Sequence, residues 1–420
     1  MNIKRRSSIR FMLATGCTAC LLPLQLMAGG WKIPENSINS TALSAAYVAN
    51  AHGADATYFN PAAMAFNEEG GSMEVDLTYI HLSATQYTDN SGGGFADDAS
   101  DVERFLIPSF HYVSPRMGKA RFGLSVITPA GLAKRWDGTG KGASQQFSLK
   151  TVEINPTAAY MFNDKFSAAI GARMVYSSGK IKNKIFPGIL ERDLDGESVD
   201  FGYNLALHFK PTDELALALT YRSEIWMTID GDATLLGPGL MYSGDAYLGA
   251  PIPASLNLAA AYTFNDRTTV ELVYERTYWS AYKELDIDYH DPIHPATGGF
   301  WGASVGKGWE DSDTYRIGVT HKLNGIWTLM AGYAYDKTPA QKNTVGFELP
   351  DSDAHIFSVG ARYQYSDDLN IGLGLLYDKK DKLKLKPSDG NTGGFGGEYV
   401  NAEFKDASAV LLTVGMQYKF

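Results

Sequence analysis

Lys150, Arg173, Arg222, Arg316 and Arg362 fall on the inward phase of segments whose apolar residues recur at every second position, together with Glu153, Glu224, Glu271 and Glu275. An arginine in a mostly apolar interior can hold a carboxylate through two parallel N–H bonds. Arg173, Arg222, Arg316 and Arg362 are therefore candidate contacts for the acid group of a greasy ligand. The simpler reading of each is an internal ion-pair ladder with the glutamates, because charges in a partly dry interior need partners. A second candidate is an apolar run in an otherwise polar stretch between Asp232 and Pro251: Leu235, Leu236, Leu240, Met241 and Tyr242, followed by Tyr247 and Leu248. Such a cluster is either a capture surface for a hydrophobic ligand or a set of loops packed on one another.

Catalytic and metal chemistry have little support. His290 and His294 lie near two prolines with no third ligand in view. Gly138-Thr-Gly-Lys-Gly142 lacks the strand-to-helix setting and the hydroxyl residue of a phosphate loop. No G-x-S-x-G elbow occurs. Both cysteines, Cys17 and Cys20, fall in the leader, so thiol chemistry and disulfides are not expected of the mature chain. No cofactor, metal site or enzymatic activity is expected.

The elements that carry these residues read as strands. From Ala409 to Phe420, Val410, Leu412, Val414, Met416, Tyr418 and Phe420 share one face, and Thr413, Gly415, Gln417 and Lys419 the other. An apolar, aromatic-ended face opposite a small and polar one suits a strand with lipid on one side and a lumen on the other. Val199 to Phe209 and Leu369 to Asp378 alternate in the same way. Short polar turns recur at 114–116, 163–165, 211–213, 265–267, 324–325 and 366–368, mostly after an aromatic: Tyr112, Phe162, Phe209, Phe264 and Tyr365. Longer Gly-, Asp- and Ser-rich segments lie between, at 83–104, 128–146, 179–198, 229–250, 282–309, 338–353 and 379–406. Six short turns and seven long loops make fourteen strands, an even number as a bacterial barrel requires. The pattern predicts an all-β fold, a 14-stranded antiparallel transmembrane β-barrel, over residues 71–420.

The amino terminus fits that location. Lys4, Arg5, Arg6 and Arg10 precede an apolar run from Phe11 to Ala28, a secretory signal peptide predicted to end at Ala28. The chain carries 37 Lys plus Arg against 47 Asp plus Glu, and losing the leader makes it more acidic. Such a surface does not suit nucleic acid. Residues 29–70 show no strand alternation. Residues Thr41 to Asn50 read as a short helix with Ser40 as cap. The segment is too small to fold alone, and the lumen is the nearest place to bury it, which predicts an N-terminal hatch of short helices plugging the barrel.

Within that segment, Gly53-Ala54-Asp55-Ala56-Thr57-Tyr58-Phe59-Asn60-Pro61-Ala62 resembles the hatch signature of the outer-membrane long-chain fatty-acid and hydrocarbon transporter family (FadL/TodX type), with Asn60, Pro61 and Ala62 at its centre. Further blocks resemble the family in order: Thr151 to Tyr160, Tyr221 to Ile225, Trp279 to Leu285, Trp309 to Gly318, Trp327 to Asp336, and Leu349 to Asp353. The resemblance implies passive uptake of a hydrophobic small molecule, a long-chain fatty acid or an aromatic or aliphatic hydrocarbon. The ligand would be caught outside, held in the lumen, and released sideways near a third-strand kink after the hatch responds. By position Phe122 and Gly123 are candidates for that kink, although Gly123 reads equally as an ordinary lumen-facing glycine. Ala354 and the pair Ala45, Ala46 stand where the family often has arginine and glycine. The expected setting is the bacterial outer membrane, as a monomer among outer-membrane lipids, with the C-terminal strand presented to the barrel assembly machinery. A general diffusion porin, or a surface adhesin or phage receptor, is the alternative.

Overall fold

The computed structural model describes residues 30–90, 96–237, 240–302, 304–391 and 401–420, so the signal peptide expected at 1–28 lies outside the described residues. Fourteen antiparallel strands make one closed wall. They are β1 (Ser72–Leu82), β2 (Glu103–Val113), β3 (Ala120–Ile127, resumed at Gly131–Arg135), β4 (Gln146–Asn163), β5 (Phe166–Phe186), β6 (Leu190–Phe209) and β7 (Leu215–Arg222, resumed at Ile225–Gly237). The wall continues with β8 (Leu240–Ile252, resumed at Ser255–Phe264), β9 (Thr268–Thr277), β10 (Ser312–Lys322), β11 (Trp327–Asp336), β12 (Ala354–Gln364), β13 (Leu369–Lys380) and β14 (Ser408–Lys419). Closure is made by β1 on β14, from Ser72↔Lys419 to Leu82↔Ala409. Closing the wall this way takes the two terminal strands' free edges out of lipid.

The alternation read from the sequence sets the two faces. Outward on β6 stand Val199, Phe201, Tyr203, Leu205, Leu207 and Phe209, and on β14 Leu412, Val414, Met416, Tyr418 and Phe420, all exposed. Asn204, His208 and Thr413 point inward and are buried. The six short turns fall where the sequence places them. Two long segments differ from expectation. β5 and β6 pair up to Phe186↔Leu190, and β7 and β8 up to Gly237↔Leu240, so most of 179–198 and 229–250 is strand. A tilted span needs about 9–11 residues, while β5 has 21, so about half of it stands above the membrane. Cross-strand charge pairs on the outer face, such as Lys182 with Asp193 at 2.6 Å, and apolar packing of Ile181, Leu194 and Leu235 inside, hold these ribbons in register.

Inside the wall sits the segment from Gly30 to Asn67. Its helix α1 (Ile38–Ala42) starts at a Ser37–Ser40 capping box. It ends where Ser44 and Ala45 take left-handed φ of 49° and 58°. The helix expected at 41–50 is thus shorter and earlier, because residues after Ala42 turn to meet the wall rather than continue. α2 (Ala56–Phe59) and a 3₁₀ turn at Pro61–Phe66 follow. The wall makes room with glycine: a Cβ at Gly332 would collide with the Leu43 backbone, and one at Gly123 would lie 2.5 Å from a Thr57 methyl.

Candidate functional site

All four candidate arginines are spoken for. Arg173 donates to Glu153 at 2.9 Å and to the Ser223 carbonyl at 2.6 Å. Arg222 pairs with the same Glu153 and lies 4.3 Å over the hatch Tyr58 ring. Arg316 donates to Glu275 at 2.7 Å and to the Ser44 carbonyl at 3.1 Å. Arg362 donates to Glu74 at 2.7 Å and to Asn39 at 2.7 Å. Each is a wall ion pair, and Arg316 and Arg362 also grip the hatch directly. Glu224 is exposed and takes no part, because the break in β7 after Arg222 shifts the inward phase by one residue. Glu271 has a different role from the one foreseen: its carboxylate accepts the backbone N–H groups of Val48, Ala49 and Asn50 at 2.7, 2.6 and 3.2 Å.

The hatch motif is a structural knot. The Asn60 side chain caps the 3₁₀ turn at Ala62 N–H (3.2 Å), donates to the Val48 carbonyl (2.9 Å) and meets His208 of the wall (3.1 Å). Pro61 opens the turn, where its missing N–H needs no partner. The Ala62 carbonyl accepts from Ser167 at 2.7 Å.

The break in the third strand lies beyond Gly123. Phe122 and Gly123 are paired with β4, and Gly123 also with β2. Strand structure lapses instead at residues 128–130, around Pro129, which has no N–H to donate. β2 and β3 share four pairs, Phe110↔Val126 to Val113↔Gly123, and the ladder stops there. Higher up the two strands meet again through the Asp101 N–H to Arg135 carbonyl bond (2.9 Å) and Arg135 with Glu103 (2.6 Å). Between these levels the wall has a window.

Residues 31–36 of the hatch form a strap across that window. The Ile33 N–H donates to the Pro129 carbonyl (3.0 Å) and the Gly131 N–H to the Trp31 carbonyl (2.9 Å), with Lys32 bridged to Ala130. Asn36 accepts from Thr128 N–H at 3.2 Å. The strap is anchored by Trp31, whose indole is buried in a cage of Trp279, Tyr282 and Trp309 at centroid distances of 4.9, 4.7 and 5.2 Å. Its ring N–H donates to the Pro251 carbonyl at 3.2 Å. Edge-to-face contacts of this kind add about 0.5–1.5 kcal/mol each beyond area burial. Beside the cage the buried Lys307 is paired with Glu348. Neither the cage nor Lys307 was foreseen, since their members are scattered along the chain and shared only a bulky residue type as signal.

The capture cluster divides. Leu235 and Tyr242 face inward, buried in the same core as the cage, while Met241 is 71% exposed on the other face. Pairing in a ribbon separates alternate residues, so these side chains are not one surface. Leu236 and Leu240 lie at the same ribbon end.

Open space is unevenly placed. Around the cage, Trp31, Leu132, Phe147, Tyr282, Trp309 and Leu349 line a void of about 10 Å³, and a cavity of about 60 Å³ lies by Lys32, Tyr58, Arg222 and Arg316. Drug-sized ligands need about 300–1,000 Å³, so neither accepts cargo as it stands. A cavity of about 420 Å³ with a mixed lining, from Leu43, Phe66 and Met330 to His52, Asn67 and Arg362, lies on the side of the hatch toward the short turns. In the strap, burial pushes the Glu35 carboxyl up to about 7. Both its oxygens lack a hydrogen-bond partner among the described residues.

Comparisons agree with this architecture. A 24% identical relative, over 90% of this chain and 93% of its own length, is the "Long-chain fatty acid transport protein" of Escherichia coli O6:H1. Another, "Outer membrane protein P1" of Haemophilus influenzae, is 22% identical over 75% of each chain. Among solved structures, a Pseudomonas aeruginosa FadL homologue superposes with a TM-score of 0.79 at 20% identity, covering 93% of this chain and 100% of that one. The Pseudomonas putida toluene transporter TodX gives 0.68 at 18% identity, covering 93% and 99%. Transport channels, not enzymes, make up the group. Residues 19–420 match the model of the outer membrane protein transport family (OMPP1/FadL/TodX), and the chain belongs to that family, a β-barrel of the outer membrane.

Proposed function

We propose that this barrel carries hydrophobic small molecules, long-chain fatty acids or hydrocarbons, passively across the outer membrane and releases them sideways through the window between β2 and β3. The reading rests most heavily on Trp31: an aromatic side chain of the hatch is buried in an apolar core with Trp279, Tyr282 and Trp309 and is continuous with the strap that covers the window. A ligand that takes the indole's place frees the strap. Both events then share one cause, and no energy source is needed. The relatives' names agree with a hydrophobic cargo, one being called a fatty acid and another a toluene transporter.

In this scheme residues 29–70 act as the hatch, and the ribbons above the membrane funnel cargo toward the cage. Lys307, freed from Glu348, offers a cation to an acid headgroup. The arginines stay with their glutamates and keep the hatch seated. The barrel works as a monomer and presents Phe420 to the assembly machinery. The test is binding of labelled oleate and of toluene to detergent-solubilised protein, followed by quenching of tryptophan fluorescence, together with uptake by cells that express it. Saturable binding of either ligand and matching uptake support the reading. Steady porin-sized conductance of the intact protein in planar bilayers, without binding, supports a diffusion porin instead.

A further inference from the structure

The strap is fastened differently at its two ends. At the upper end Trp31 sits among three rings, contacts that an apolar ligand can replace. Lys32 adds an ion pair with Glu275 of β9, but the other oxygen of that carboxylate is held by Arg316 at 2.7 Å and keeps its partner when Lys32 leaves. The lower end is Asn36. Its backbone carbonyl accepts from His111 Nε2 at 2.9 Å, and its side-chain oxygen accepts from the Thr128 N–H at 3.2 Å. One residue of the strap is thus bonded to both jambs of the window, β2 and the break in β3, beside the place where their ladder stops.

His111 ties this joint into the wall. It is fully buried and faces inward opposite Ser125, the uppermost inward pair of the short β2–β3 ladder. A carbonyl oxygen only accepts, so the bond to Asn36 puts a ring hydrogen on Nε2. In the neutral ring Nδ1 then accepts from the Ser125 hydroxyl, 3.2 Å away, and Ser125 in turn accepts from Thr57 of α2. The chain of donors Thr57, Ser125 and His111 ends on the strap, and every member is buried. An apolar ligand supplies none of these bonds, and a buried carbonyl left without a donor is costly. Beyond Asn36 the hatch is fixed as well. Ser37 and Ser40 cap α1, Asn39 accepts from Arg362 at 2.7 Å, and the Thr41 and Thr413 hydroxyls meet at 2.7 Å.

We propose that His111 is a positioning residue for lateral release. By holding the Asn36 carbonyl it makes the lower end of the strap a hinge, so that cargo displacing Trp31 swings residues 31–35 off the window while Asn36 stays. The window opens from its upper edge, beside the cage, and the strap recloses on a joint that never came apart. This rests on the reading of the strap as the cover of the window, and adds to it which end moves.

The test follows single-amide hydrogen exchange in the full-length protein, with folding of each variant checked by the heat-dependent gel shift of intact barrels. The N–H groups of Ile33 and Gly131 report the upper end through their bonds to the Pro129 and Trp31 carbonyls, and the Thr128 N–H reports the lower end through its bond to Asn36. Exchange of a protected amide follows the population in which its bond is open. Trp31→Ala is expected to speed Ile33 and Gly131 at least roughly a hundred-fold and to change Thr128 by less than about threefold. His111→Leu should free Asn36 and speed Thr128 by roughly tenfold or more, the loss of one buried bond. His111→Gln, whose amide nitrogen takes the place of Nε2, should restore most of that protection, which a merely space-filling role for the ring would not do. Thr128 speeding as much as Gly131 in Trp31→Ala means that the strap lifts off whole, and overturns the hinge alone. Unchanged exchange at Thr128 in His111→Leu, or equal exchange there in His111→Gln and His111→Leu, also overturns the hinge. No response at either end to Trp31→Ala overturns the strap reading and the hinge together.

Discussion

Trp31→Ala removes an indole that touches three rings and donates one hydrogen bond, while leaving the backbone bonds of the strap in place. Truncating a buried tryptophan costs about 3–5 kcal/mol. If the cage is what holds the strap down, that loss falls on the equilibrium between seated and released strap, whose released population rises roughly 150- to 5,000-fold. The sequence has two cysteines, Cys17 and Cys20, both ahead of the hatch, and with each replaced by serine the assay reads a single introduced thiol. A single Ile33→Cys, at a position 1% exposed, should react slowly with a maleimide in the otherwise unaltered protein. When strap opening is fast relative to labelling, the rate follows the open population. The double variant should then label at least a hundred-fold faster, and added indole should slow it by refilling the cage. Labelling at the same rate in both proteins would refute the view that Trp31 anchors the strap.

Three further outcomes follow from the seating of the hatch. Glu271→Gln keeps the shape but removes the charge from an acceptor of three backbone N–H groups. Bonds to charged groups carry about 1.5–3 kcal/mol each, so hydrogen exchange at Val48 to Asn50 should quicken by at least tenfold. Ala45→Gly relieves a residue held at φ 58°, where a side chain costs about 1–2 kcal/mol; the hatch should resist denaturant-induced exposure better. Glu35 has a folded pKa raised from 4.5 to about 7, so the seated hatch binds more protons than the released one between those values. Its seating is firmest below pH 4.5, weakens by roughly 3 kcal/mol as pH rises to 7, and is level above. Glu35→Gln should flatten that profile when combined with Ile33→Cys in the maleimide assay.

Much of this barrel can be read without coordinates because one period governs it. A residue's face follows from parity, and short turns such as Asn265-Asp266-Arg267, with φ of 49° and 55° at the first two, are made of residues that tolerate such backbone. Parity also misled, at Glu224, because the break in β7 resets the count. The sequence points to Phe122 and Gly123 for a kink, whereas the strand lapses at 128–130: Gly123 is glycine to admit Thr57 and Met64 of the hatch, while Pro129 has no donor for the ladder. The cage was illegible for another reason. Trp31, Trp279, Tyr282 and Trp309 come from the hatch and from the segments flanking β9 and β10, and their meeting depends on how the wall curves above the membrane. The sequence places the helix at 41–50 rather than at Ile38–Ala42 because its stop is a pair of left-handed residues, Ser44 and Ala45, that carry no glycine.

The central claim is that the strap must leave the window for cargo to pass. Lys32 and Ala130 are bridged antiparallel partners, within the roughly 4.4–6.8 Å Cα separation that a disulfide needs. Uptake of labelled oleate and toluene by cells carrying Lys32→Cys with Ala130→Cys should be abolished when the bond forms and return on reduction, with the Lys32→Cys single variant as control. Undiminished uptake through the oxidised, locked protein would contradict that claim.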